Sequence, residues 1–109
     1  MSEQDSQPII SNFANDHEIL DLVEQFVDDL PHRIAAIQQS LAQQDLAALQ
    51  RLTHQLKGSA GGYGFPAITQ QAASVESSIK MQAEIENVAR EVYALADLCS
   101  RARATPNES

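Results

Sequence analysis

The sequence predicts an all-α protein: an antiparallel up-down four-helix bundle with a short N-terminal arm or helix. Three observations point there. Apolar residues recur at steps of three and four in four separate segments, which is helical spacing. No segment shows the alternation of a half-buried strand. The connections are short and marked by Asp, Gly and Pro, as an up-down bundle requires. The chain of 109 residues suits one domain with one modest core. It is expected to divide into an arm (1–14), the bundle (15–103) and a disordered tail (104–109).

Residues 1–14 carry little periodicity, although Ile9, Ile10 and Phe13 suit the cover of one end of a core. From His17 the apolar positions fall at Leu20, Val23, Phe26 or Val27, Leu30, Ile34, Ile37 and Leu41. Pro31 interrupts this stripe, and a proline inside a helix breaks or kinks it. One reading ends a helix at Asp29 and starts another at Pro31. The other, favoured because the rhythm keeps its phase from Leu30 to Ile37, is one long helix kinked at Pro31.

Asp45 is the expected N-cap of a second helix with the stripe Leu49, Leu52, Leu56 and Ala60. Glycines with Tyr63 and Phe65 close it. Pro66 suits the first turn of a third helix, with Ile68, Ala72, Val75 and Ile79. After a turn near 80–83 comes a fourth, with Ile85, Val88, Val92, Leu95 and Cys99.

Composition narrows the class of function. The chain is 43% hydrophobic and 20% charged, usual for a folded soluble protein. No apolar run approaches the roughly 18–20 residues that span a bilayer, and "MSEQDSQP" is no secretory signal. The single cysteine, Cys99, forms no internal disulfide, so a cytoplasmic location is expected. A net charge of −8 argues against a nucleic-acid or anionic-membrane partner, which would need a basic patch. Beginning at Met1, the domain is expected to stand alone.

The most informative stretch is "LTHQLKGSAGGYGFP", Leu52 to Pro66, which holds all four glycines of the chain. With about 100° of rotation per residue, Leu52, Leu56 and Ala60 lie within roughly 60° of Leu49. His54 then lies about 140° round, near the opposite face. Gly58 and Gly61 share its ridge, and Lys57 stands on the flank. A glycine inside a helix costs roughly 1 kcal/mol against alanine, and close approach of another molecule is a physical reason to bear that cost. Charge adds to the case. The chain has fifteen acids, but none from Leu46 to Val75, where Arg51 and Lys57 stand. Such an island suits a partner with a negative docking site.

Other motifs fall away. A P-loop places its Lys-Ser/Thr after the glycines and opens from a strand, whereas here the lysine comes first. His17, His32 and His54 form no HExxH or paired metal motif, so no metal is expected. Cys99, in register with Val92 and Leu95, reads as a core thiol. Tyr63 and Phe65 read as packing at the bundle end.

"HQLKGSAGGYG", His54 to Gly64, resembles the signature of the histidine-containing phosphotransfer (HPt) domain: His, two residues, Lys-Gly, a small residue, and a glycine about ten past the histidine. The likeness extends over roughly residues 16–102, including the proline-containing first helix. The resemblance implies a phosphocarrier of two-component phosphorelays, without kinase activity of its own. Its histidine would take a phosphoryl group from a receiver-domain aspartate and pass it to another. His54 would be the acceptor. A histidine of ordinary pKa, about 6.5, offers a free ring nitrogen near neutral pH. Lys57 would neutralise phosphoryl oxygens, and Gly58 would let the receiver reach the ring.

Counting along the matched pattern puts Glu76, the one acid of the third helix, where the family holds the unreactive ring nitrogen. Lys80, one turn on, would add to the phosphate field. Arg51, Gln55, Gly58, Gly61 and Lys80 would make the receiver docking face. The implied partners are response-regulator receiver domains and hybrid histidine kinases, met by a monomer. The protein would need no cofactor, since magnesium would come from the receiver. The alternative is an interaction-only bundle that binds a receiver or kinase without carrying phosphate. A homodimeric adaptor would want a large exposed apolar patch, which the face around Ala47, Gln50, Arg51 and His54 does not offer.

Overall fold

The computed structural model describes residues 7–106. Four helices follow one another: α1 (Leu20–Ala42), α2 (Leu46–Gly62), α3 (Pro66–Lys80) and α4 (Ile85–Ser100). Each packs against its neighbours in the cycle α1–α2–α3–α4, with α4 closing on α1. This is the expected all-α four-helix bundle. The stripes face inward as the spacing requires, with Val23, Phe26, Leu30, Ile34 and Ile37 of α1 meeting Leu49, Leu56, Ile68, Val75, Val92 and Leu95.

α1 runs unbroken through Pro31, so the single-helix reading holds. It begins at Leu20, later than the stripe's start near His17. Two polar side chains enter the core beside it. Thr53 is buried where Leu52 is only half-buried, and Ser40 is buried beside the half-buried Leu41. Each hydroxyl donates to a carbonyl of its own helix, Gln50 for Thr53 and Ala36 for Ser40, so burial leaves no polar group unpaired.

The helix ends follow local chemistry. The Asp45 carboxylate accepts from the Ala48 N–H at 3.1 Å and caps α2, and Pro66 opens α3. Three helices end in the same Schellman arrangement. Asp45, Phe65 and Ala83 each donate back to Ser40, Ala60 and Ser78 at 2.9 Å. The left-handed residue just before is Gln44, Gly64 or Gln82, with φ of 54°, 87° and 58°.

One feature was not expected. Ile9–Ile10 (β1) pairs in parallel with Ala102–Arg103 (β2), and Ser11 and Asn12 continue the contact to Arg103 and Gly64. Residues 9–13 therefore tie the end of α4 to the α2–α3 connection at one end of the bundle. Ala104 is fully buried, so the expected fraying does not start there. Residues 1–6 of the expected arm and 107–109 of the expected tail lie outside the described residues.

Candidate functional site

α2 turns Leu49, Thr53, Leu56 and Ala60 inward, which leaves the His54 side chain 65% exposed on the outer ridge. α3 lies alongside and carries Glu76 next to the buried Val75. The Glu76 side chain is only 7% exposed, and its carboxylate is fully engaged. Oε2 stands 2.9 Å from His54 Nδ1. Oε1 accepts from Lys57 Nζ at 2.7 Å. Lys80 Nζ, one turn along α3, lies 3.6 Å from Oε2. A buried carboxylate is tolerated only with such partners.

The hydrogen bond from Lys57 holds Glu76 below the usual carboxylate range, against the upward push of burial. The His54 bond and the charges of Lys57 and Lys80 act in the same direction as Lys57's bond. At neutral pH the carboxylate is thus ionised and can only accept. Nδ1 is therefore the nitrogen that donates to it, which leaves Nε2 as the nitrogen facing outward.

His54 and Gln55 stand between two shallow depressions. On one side are Ala47, Gln50 and Arg51. On the other are Gly58, Ser59, Gly62 and Tyr63. A Cβ at Gly58 would meet nothing within 4 Å, so this position is open. Gly61 differs from the expectation of a cleared docking face. A Cβ there would lie 3.2 Å from Thr69 Oγ1, and that hydroxyl donates to the Lys57 carbonyl at 2.9 Å. Gly61 admits a neighbouring helix more than an outside molecule.

The fold thus brings His54, Lys57, Glu76 and Lys80 into one network and sets Arg51, Gln55 and Gly58 around it. Thr69 and Tyr63 are additions that the sequence reading lacked. Thr69 carries no pattern signal beyond a hydroxyl one turn after Pro66, and Tyr63 packs on Phe26 at the bundle end as expected while also lining the depression beside His54. Among the described residues, no group of three His, Cys, Asp or Glu side chains could hold a metal ion. No helix there is long and apolar enough to cross a membrane. The curated proteins and the solved structures compared with the chain give no match. A family model described as Hpt domain matches residues 21–105.

Proposed function

The chain belongs to the Hpt domain family, and on that premise we propose that it is a phosphocarrier whose His54 exchanges a phosphoryl group with receiver-domain aspartates. The observation that carries this reading is the exposed imidazole whose Nδ1 is held by a buried carboxylate. In the forward step the Nε2 lone pair attacks the phosphorus of an aspartyl phosphate. A P–N bond forms, the P–O bond breaks, and its electron pair returns to the aspartate. The ring gains positive charge as this happens, and Glu76, accepting from Nδ1–H, stabilises it. Lys57 and Lys80 supply ammonium groups where phosphoryl charge arrives. The reverse step returns the group to a second receiver by the same geometry.

The acid-free face from Leu46 to Val75 supports a negatively charged docking partner, as a receiver's phosphorylation pocket is. In this reading Arg51, Gln55 and Gly58 line the contact. The magnesium and the aspartate belong to the receiver, and the chain needs no cofactor and does not phosphorylate itself from ATP. It works as a cytoplasmic monomer between hybrid histidine kinases and response regulators.

The test is phosphotransfer from a panel of phosphorylated receiver domains to wild type and His54→Gln. Label that is acid-labile and base-stable is expected on wild type alone, with the variant folded normally because the ring is exposed. Label on the variant would remove His54 as acceptor. Binding of receivers without label on either protein would favour the interaction-only bundle.

A further inference from the structure

Tyr63 stands where three parts of the chain meet. It follows the last residue of α2, and its ring stacks on Phe26 of α1 at 5.0 Å between centroids. It lines the depression beside His54 and Gly58, and also a second one beside Leu22 and Phe26 of α1. Leu22 is 48% exposed, and Gln25, Asp29 and Arg33 complete that second depression, so Leu22 and Tyr63 are apolar points within a polar surface that reaches the open position at Gly58. A half-buried aromatic ring fixed by stacking suits an anchor in a protein–protein contact.

The backbone of Tyr63 is held from outside its own helix. The buried Ser11 hydroxyl donates to the Tyr63 carbonyl at 2.6 Å and accepts from the Phe13 N–H at 3.0 Å. Asn12 N–H donates to the Gly64 carbonyl at 2.9 Å, and β1 ties this segment to β2. The Tyr63 N–H is already satisfied within α2 by Ser59 and Ala60. The segment from Ser11 to Phe13 thus adds a second constraint that sets where the ring stands relative to His54.

We infer that Tyr63 is a docking residue for the receiver domain and that Ser11 is its positioning residue, an inference that rests on the phosphotransfer reading above. The receiver brings an acidic pocket to His54, and the ring of Tyr63 with Leu22 gives the rest of its surface an apolar anchor. Ser11 touches no reacting atom and acts through the Tyr63 backbone.

The experiment uses the full chain as wild type, Ser11→Ala, Tyr63→Ala and Tyr63→Phe, each labelled from two donors. One is the phosphorylated receiver that labels wild type fastest. The other is phosphoramidate, a small donor that loses ammonia and needs no docking surface. Tyr63→Ala is expected to lower the ratio of receiver rate to phosphoramidate rate about tenfold, through a higher half-saturating receiver concentration. Ser11→Ala should lower the same ratio by less, and Tyr63→Phe should restore most of it. An unchanged ratio in Tyr63→Ala overturns the inference, and so does an equal fall with both donors, which would mean a structural role only. Failure of wild type to take label from any receiver overturns the phosphotransfer reading, and this inference with it.

Discussion

Glu76 is a single carboxylate that answers to two donors and a third, more distant charge, and its titration follows from them. Lys57, His54 and Lys80 hold it below the ordinary value of 4.5 in spite of burial. A depressed folded-state pKa contributes stability that is complete above the unfolded value and is lost as pH falls through the folded one. Wild type should therefore weaken as pH drops below about 4.5. Glu76→Gln, which cannot ionise, should be less stable than wild type at neutral pH, with the difference narrowing under acid. Urea midpoints measured from neutral pH down to about 3 check this; a difference that stays constant would separate Glu76 from the acid limb. Lys57→Ala should slow transfer from a receiver by about tenfold or more, the worth of one charge-assisted hydrogen bond, without abolishing it. Lys80 remains 3.6 Å from the same carboxylate, which is why some rate should survive. A wild-type rate in Lys57→Ala would remove its charge role.

At the scale of the helix, the glycines in and just after α2 divide into two kinds. Gln44 and Gln82 occupy left-handed positions with full side chains, so a left-handed residue after a helix does not by itself demand glycine in this chain. Gly64 is demanded by its neighbours as well, since a Cβ would stand 2.6 Å from Ser11 Oγ and 2.8 Å from Asn12 N. Gly64→Ala should cost about 2 kcal/mol or more in chemical denaturation. Gly58→Ala, with open space around its Cβ, should stabilise the fold by about 0.5–1 kcal/mol. The same variant should slow transfer from receivers, and opposite signs for stability and transfer would identify Gly58 as a docking position. A Gly58→Ala protein that transfers at the wild-type rate would make that glycine incidental. The helices were legible because each buried face repeats every three or four residues, and the Asp45 cap and the Pro66 start because their side chains act locally. The β1–β2 pair was not, since two residues have no period to read. Nor was the burial of Glu76 beside Val75 visible in the pattern. A carboxylate on an apolar stripe ordinarily marks the stripe's edge, and only its lysine partners, distant in sequence or one turn on, make burial affordable.

Across the whole bundle, Cys99 reports on integrity. It is buried in α4, and burial pushes its thiol up to about 12, so almost no thiolate exists at neutral pH. Alkylation should proceed only when the bundle opens, at a rate that rises with denaturant in step with unfolding. Rapid modification of native protein would show that α4 moves away from α1 without global unfolding. The charge of −8 is also unevenly spread, with Asp21, Glu24 and Asp28 along one exposed face of α1 and no acid from Leu46 to Val75. The pairing of Glu76 with two lysines has a last consequence for that distribution. One carboxylate against two ammonium groups leaves this spot with a single positive charge. In the proposed carrier, a bound phosphoryl group would bring about two negative charges to a ring that itself gains one positive charge, so the loaded spot would be close to neutral. The empty and loaded forms would then differ by about one charge toward an approaching receiver, over about 10 Å at 0.1 M salt. A receiver would be drawn more strongly to the empty form before contact, and added salt should erase that discrimination.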